Sequence, residues 1–314
     1  MKIENKPDAT LKDFWHNNER FADLFSQVFF HGEDALDPAR LSDQDTDESA
    51  VFEYNDAMAS MSRRRDLIKE YGEDAEFVLI GLEAQMRVHY AMPVRTMMQD
   101  SIRYVKQCKD IETTNRKNKA LKTPDEFLSG LTKIDRIKPI ITLVVYLGES
   151  DWDGPLSLED MMDVPDKFKK FVNNHSLHLL KVRDAAEYQF KNQDNHDFFT
   201  MIQEFYSNNG KMDLNVFREK YPDFEIYWET LAAIGAATGT TELIEYAYHN
   251  KGGRLRMCTA LENLKQEGIL EGRQEVILET VTLLRKLKLD DNDILQNLVE
   301  TYHITEGEAR SLLG

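Results

Sequence analysis

The sequence predicts an α/β protein in which helices flank a mixed β-sheet over residues 1–195 and an all-helical region follows over residues 196–314. Two observations lead to this prediction. Short apolar runs alternate with helical stripes in the first part, and only helical periodicity remains after about residue 195. The chain has 314 residues, of which 41% are hydrophobic, and that is enough for one large domain or two smaller ones.

The chain begins with a predicted helix and an acidic loop. Residues 10–30 place Phe14, Phe21, Leu24 and Val28 at helical spacing. The next stretch, residues 33–56, is rich in acids and poor in apolar residues, and it predicts a surface loop with at most one helical turn.

Four segments with apolar runs between polar or glycine residues predict the strands, and these segments are residues 62–72, 76–85, 137–148 and 175–184. The period of the first segment is ambiguous, and we expect it to enter a turn at Gly72. A helix is predicted to begin at Pro93, because proline is favoured in the first helical turn.

The C-terminal region predicts a long amphipathic helix over residues 254–288 and two short helices after it. Thr305 and Glu308 have the spacing of a capping box for the last helix. The acids near the end argue against a DNA-reading helix-turn-helix, since a recognition helix is basic. We therefore expect these helices to form a homodimer or to dock a partner.

Charge and composition limit the function. A net charge of −17 excludes broad, non-specific adhesion to nucleic acid or anionic lipid, although local basic groups or a divalent metal would still permit an enzyme that acts on DNA. The chain has no apolar run long enough to span a membrane and no secretory leader pattern. Cys108 and Cys258 are predicted to be ordinary thiols, so we expect a cytoplasmic protein that does not bind membranes.

Glu83 and Gln85 would project from the same face of a strand, and Asp66 lies 17 positions before Glu83 on a candidate neighbouring strand. If these strands pair, the two carboxylates meet, and the carbonyl of Ala84 between Glu83 and Gln85 adds a third hard oxygen ligand for Mg²⁺ or Mn²⁺. Glu19 or Asp23, which share one face of the first helix, would complete or orient this ligand set. Alternatively, Glu83 and Gln85 simply end a strand at solvent.

Basic residues accompany these acids. On the helix after Pro93, a polar face opposite the apolar stripe consists of Arg95, Gln99, Arg103 and Lys106. Its positive charge would suit a phosphate backbone. Arg63 and Arg65 next to Asp66 would either bind nucleic acid as well or form surface salt bridges with the acidic loop.

Several segments together resemble one protein family. They are NERFADLF (18–25), RRRDLIKEY (63–71), FVLIGLEAQMRVHYAMPVR (77–95), KPIITLVVYLGESDWDGP (138–155) and RMCTALENLKQEGILEGR (256–273). In this order they resemble the recombination-promoting nucleases, also called YhgA-like putative transposases, of the PD-(D/E)XK nuclease superfamily. The resemblance implies a restriction-endonuclease-like core and a Mg²⁺-dependent DNA endonuclease linked to recombination, mobile elements or phage defence.

The resemblance also implies a role for each site residue. Asp66 and Glu83 would bind Mg²⁺, or Mn²⁺ or Ca²⁺ in its place, and Gln85 would position the attacking water. Glu19 matches the acid that the family carries on its first helix. The alternative is an inactive nuclease-fold protein that acts as a protein-interaction module.

Overall fold

The computed structural model describes residues 7–44, 47–54, 57–64, 67–72, 75–80, 87–207 and 214–313. The chain forms two compact units. The first unit is Met1–Met212 with Ile226–Arg254, and the second is Asp213–Glu225 with Leu255–Gly314. The units therefore divide the chain elsewhere than at residue 195.

Nine strands occur in the described ranges: β1 (Leu41–Asp43), β2 (Asp47–Tyr54), β3 (Ala57–Arg64), β4 (Leu67–Tyr71), β5 (Ala75–Ile80), β6 (Ile140–Tyr146), β7 (His178–Lys181), β8 (Glu225–Tyr227) and β9 (Arg254–Arg256). The first unit contains the helices α1 (Pro7–His16), α2 (Asn18–Phe30), α3 (Met92–Lys117), α4 (Pro124–Ser129), α5 (Asp166–Lys169), α6 (Gln193–Ser207), α8 (Trp228–Thr238) and α9 (Thr241–His249). The second contains α7 (Leu214–Lys220), α10 (Met257–Lys286), α11 (Asp291–Tyr302) and α12 (Glu306–Leu313).

The main sheet has five strands in the order β1-β4-β5-β6-β7. The first three strands are antiparallel neighbours, and β5, β6 and β7 run parallel to one another. The long helix α3 makes the crossover from β5 to β6, as a parallel pair requires. The predicted α/β class, with a mixed sheet flanked by helices, is confirmed.

Two parts of the sequence contain strands that the sequence did not predict. The acidic stretch 33–56 has the one helical turn that composition allowed, at Pro38–Arg40, but it also contains β1 and β2. β2 pairs with β3 in a separate two-stranded sheet. After residue 195, β8 and β9 pair as well, so the prediction of helices alone is wrong there.

The other elements lie close to their predicted positions. β4, β5, β6 and β7 all fall within one residue of the predicted segments or inside them. β4 ends before Gly72, whose φ of 53° gives the expected turn. α3 begins at Met92, with Pro93 in its first turn. Cys108 and Cys258 are free thiols.

The second unit has an aliphatic core. This core consists of Ile277, Val281, Ile294, Leu298 and Ala309. The predicted capping box is confirmed, because the Glu308 carboxylate accepts the Thr305 backbone N–H at 2.8 Å and the Thr305 hydroxyl accepts the Glu308 N–H at 3.3 Å. The bonds that the Glu308 carboxylate accepts from the backbone N–H and from the hydroxyl of Thr305 lower the pKa of Glu308.

No helix in the described ranges is long and apolar enough to cross a membrane.

Candidate active site

The predicted acids flank two strands that are neighbours in the sheet. β4 begins at Leu67, directly after Asp66, and β5 ends at Ile80, three positions before Glu83. The strands are antiparallel, so the start of β4 lies beside the end of β5, with Leu67 opposite Leu79. The strand pairing that the site requires is therefore confirmed. Asp66, Glu83, Ala84 and Gln85 themselves lie outside the described residues, so their meeting stays a prediction.

Other strands end at the same side of the sheet. β6 and β7 run parallel to β5, and their carboxyl ends lie beside its end. The end of β1 is also here, because the N–H of Gln44 donates to the carbonyl of Ile68 at 2.9 Å. Ligand sites of α/β sheets lie outside the carboxyl ends of the parallel strands, so this is the end at which a site is expected.

Polar residues hold the backbone that leaves β6 at this end. The Tyr206 hydroxyl donates to the carbonyl of Leu147, and the Arg183 guanidinium donates to that of Glu149. Burial, with Glu149 nearby, raises the pKa of Tyr206 to about 12, so Tyr206 remains a protonated donor at neutral pH. A cavity of about 560 Å³ opens beside these groups, lined by Glu149, Ser150, Arg183, Ala186, Gln203, Tyr206 and Ser207.

The segment before α3 is tied to the segment after β6. The Tyr90 hydroxyl donates to both carboxylate oxygens of Asp153, at 3.1 and 3.2 Å. This bond and the charge of Asp153 raise the pKa of Tyr90. Trp152 packs edge-to-face on Tyr146, with ring centroids 5.2 Å apart. The described chain before α3 is therefore hydrogen-bonded to the segment that follows β6.

The basic face predicted on α3 is only partly accessible. Gln99 and Arg103 are buried, with 4% of Arg103 exposed, while Arg95 and Lys106 are half-buried. α3 lies against β2, which the sequence did not predict as a strand. A phosphate backbone would reach Arg95 and Lys106 but not the buried Arg103. Arg63 belongs to β3 with its side chain undescribed, and Arg65 lies outside the described residues.

The two candidate acids of α2 differ in availability. Asp23 accepts hydrogen bonds from the Lys191 backbone N–H at 2.9 Å and from the Asn195 side chain at 2.8 Å, so it fixes α2 to the start of α6. Glu19 is exposed in the first turn of α2, where the Asn17 side chain caps its N–H. Glu19 is therefore the more available carboxylate.

Sequence reasoning missed a buried cation close to the candidate site. The side chain of Lys69 in β4 is 0% exposed. Its ammonium contacts the Asp43 carboxylate at 2.5 Å, the Asn18 side chain at 2.7 Å and the carbonyl of His16 at 2.8 Å. These contacts fix the junction of α1 and α2, next to Glu19, against β1 and β4. The only sequence signal was a lysine in the middle of an apolar strand.

A second polar group lies between α3 and β6. The Thr142 hydroxyl donates to the buried Asp100 carboxylate at 2.7 Å, and the His175 ring lies 3.7 Å from the other Asp100 oxygen. Thr96 lies 3.3 Å from the same ring nitrogen. Among the described residues, no three or more His, Cys, Asp or Glu side chains are grouped to hold a metal ion.

No family model, curated protein or solved structure matches the chain. The resemblance to the recombination-promoting nucleases therefore rests on the segments quoted above and stays a prediction.

Proposed function

We propose that the protein is a metal-dependent DNA endonuclease with Asp66 and Glu83 as its central acids. The observation that carries the proposal is the antiparallel pairing of β4 with β5, because it brings the two chain segments that bear these acids to one end of the sheet. The mixed sheet between helical layers agrees with the restriction-endonuclease-like core that the resemblance implies.

The donor chemistry fits a hard divalent cation. Two carboxylates and the Ala84 carbonyl are the ligand types that Mg²⁺ prefers, and Mn²⁺ and Ca²⁺ accept the same oxygens. When bound, such an ion would offset charge on the phosphodiester and lower the pKa of water. Gln85 can orient that water by hydrogen bonding, but a neutral amide cannot take its proton. Glu19 is the acid that would orient the ligand set from α2.

The proposed substrate is DNA, and the biological setting implied by the resemblance is recombination, mobile-element movement or phage defence. Because the chain carries a net charge of −17, contact with a polyanion requires local cations. Arg95 and Lys106 on α3 are accessible in part, and they lie on the helix that follows Gln85. They would hold the backbone beside the acids.

Plasmid nicking tests the proposal. We expect Asp66→Asn and Glu83→Gln to lower the cleavage rate with Mg²⁺ by roughly 100-fold or more, since each removes a ligand charge. Asp110→Asn, on the exposed surface of α3, is the matched control and should cleave at the rate of the unmodified protein. Equal cleavage by all variants, or none by any with Mg²⁺, Mn²⁺ or Ca²⁺, would instead support an inactive nuclease fold that binds other proteins.

Self-association through the C-terminal helices is part of the proposal. Ile269, Val276 and Leu283 recur at heptad spacing on α10, and all three are exposed. Ile269→Gln with Leu283→Gln should reduce the mass measured by light scattering from that of a dimer to that of a monomer. An unchanged mass would place any dimer contact elsewhere.

A further inference from the structure

The connection from β6 to β7 carries an exposed basic and aromatic tip. Residues 167–171 have the sequence Lys-Phe-Lys-Lys-Phe, and they include the end of the short helix α5. We call these five residues the tip. Three of its five residues are lysines, in a chain with a net charge of −17, so the tip differs from the bulk of the surface.

The side chains of the tip are presented to solvent. Phe168 is 49% exposed and Phe171 is 71% exposed. The Lys167 ammonium lies 4.9 Å from the Phe168 ring centroid, and the Lys170 ammonium lies 4.9 Å from that of Phe171. Within the described ranges, neither ammonium forms an ion pair, whereas Lys169 is paired with Asp166. Each exposed ring therefore lies beside an ammonium that has no ion pair with a carboxylate in the described part of the chain.

The tip projects from a stem that is hydrogen-bonded on both sides. The N–H of Leu177 donates to the Leu156 carbonyl at 2.7 Å, and the N–H of Leu158 donates to the His175 carbonyl at 2.9 Å. These bonds join the two arms of the connection, so residues 159–174 project from a closed base. Exposed rings on a fixed base lose little conformational entropy when they bind a ligand.

The stem follows a segment that is hydrogen-bonded to the chain before α3. Asp153, just before the stem, accepts the hydrogen bond from Tyr90, which follows Gln85 by five positions. One surface depression is lined both by Tyr90 and by Met161 of the projecting part. A hydrogen bond and a shared surface depression therefore connect Tyr90 with the connection that carries the tip.

We propose that the tip binds an unpaired strand of nucleic acid, with bases stacked on Phe168 and Phe171 and phosphates beside Lys167 and Lys170. This proposal rests on the proposed nuclease function, and it names the form of the substrate that the enzyme holds. Exposed aromatic faces accept any base that is not already stacked in a duplex, and adjacent cations follow the backbone. A paired strand would offer phosphates but no free base face.

Charge and size favour a strand over an anionic bilayer. Screening limits electrostatic attraction to about 8–10 Å at physiological salt, so a narrow ligand is affected by the three lysines of the tip and by Asp166, which Lys169 pairs with, but not by distant acids. A bilayer is a wide surface, and it would also face the acids of the surrounding protein. The helix of the tip has four residues, far shorter than the amphipathic helices that lie in membrane interfaces.

Binding of a labelled single strand tests the proposal. The full chain is titrated against a fluorescent DNA strand of about 20 nucleotides in EDTA, at several salt concentrations. Phe168→Ala with Phe171→Ala should raise the Kd roughly 5-fold for each ring removed, with an unchanged salt slope. Phe168→Tyr with Phe171→Tyr should retain the affinity, because a tyrosine ring also stacks.

The lysines should give a different signature. Lys167→Gln with Lys170→Gln should reduce the slope of log K against log salt by about 1.4, since each phosphate contact to a single strand contributes about 0.7. The matched controls are Phe127→Ala, with a ring that is 56% exposed, and Lys133→Gln, with an exposed ammonium. Both controls should bind the strand like the unmodified protein.

Two results would overturn the proposal. One is an unchanged Kd in the alanine pair, and the other is tip-dependent binding to phosphatidylserine vesicles with no tip-dependent binding to DNA. Because EDTA excludes cleavage, this assay is separate from plasmid nicking. If nicking needs Asp66 but the tip variants bind normally, only the tip proposal fails; if the tip binds DNA but nicking never occurs, only the nuclease proposal fails.

Discussion

Ile68 and Lys69 are neighbours in β4 and point to opposite faces of the sheet. Ile68 is buried in an apolar cluster with Met92 and Val144, on the face that α3 covers. Lys69 is buried on the other face, where its ammonium contacts Asp43 and the α1–α2 junction. Hydrophobic packing thus closes one face at this point of the strand, and a partnered charge closes the other.

The two faces of β4 make different contributions. The apolar face contributes stability, and the Lys69 face determines how the neighbouring helices are arranged. Apolar packing is non-directional, so the α3 face can adjust when a side chain changes. An ammonium has three donors that need partners in fixed directions, and Lys69 finds all three. The Lys69 face therefore specifies where α2 begins, and with it the position of Glu19. Both effects can be measured separately by substitution.

The largest effect is expected on the apolar face. Ile68→Ala should lower the free energy of unfolding by about 3 kcal/mol, because it removes buried methyl groups and leaves a cavity. Urea denaturation followed by circular dichroism measures this loss. Val94→Ala on α3, where the side chain is exposed, is the control and should change little. A loss below about 1 kcal/mol for Ile68→Ala would mean that this face repacks more freely than its burial indicates.

The buried cation should give the next largest effect. Lys69→Met keeps the volume and removes three hydrogen bonds, so the expected loss is about 2 kcal/mol. This loss stays moderate because Asp43 is half-exposed and water can reach it. Lys191→Met removes a surface pair with Asp34 and should cost less than about 1 kcal/mol.

Lys69→Met also tests the claim about arrangement. If the ammonium positions the start of α2, the variant should lose protection from amide exchange in the first turn of α2 beyond the loss that global destabilisation explains. Uniform loss of protection over the whole first unit would contradict a positioning role.

A smaller effect is expected from the hydrogen bond that joins the Thr142 hydroxyl of β6 to Asp100 of α3. Thr142→Val keeps the shape and removes the donor to the buried Asp100 carboxylate, so stability should fall by about 1.5 kcal/mol. Thr113→Val, at an exposed position of α3, is the control in the same denaturation experiment. Equal results for the two variants would show that the Thr142–Asp100 hydrogen bond does not contribute to stability.

Sequence patterns predicted those helices and strands whose side chains are buried on one face or on both faces. β6 could be located because Leu143, Val144 and Val145 are all buried between two helical layers. β1 could not, because its partner β4 lies further along the chain, beyond β2 and β3. β2 could not either, because its acids suit a loop, although it pairs in a hairpin with β3, which follows it directly. Pairing with a partner strand, rather than the local composition, forms these strands.

The same limit applies to the candidate site. Asp66 and Glu83 were assigned to candidate neighbouring strands, and the pairing of β4 with β5 agrees with that assignment. The burial of Arg103 could not be predicted, because helical periodicity shows which residues share a face but not what covers that face. Lys69 was missed for a related reason: its three partners come from two separate segments of the chain.

The smallest effect is expected from the buried carboxyl of Asp197 in α6. It tests how far hydrogen bonds in the first unit offset the cost of burying a charge. Burial raises the pKa of Asp197, and the hydrogen bond from the Gln193 side chain at 2.6 Å opposes that rise only in part. With a raised folded pKa, the stabilising contribution of this group is present below its unfolded pKa and is lost as the pH rises through the folded value. Asp197→Asn keeps an acceptor for Gln193 and carries no charge, so its stability relative to the unmodified protein should increase from about pH 4 to about pH 7. Urea denaturation across this range measures the difference, with the exposed Asp125→Asn as control. A difference that stays constant with pH would mean that burial does not raise the pKa of Asp197.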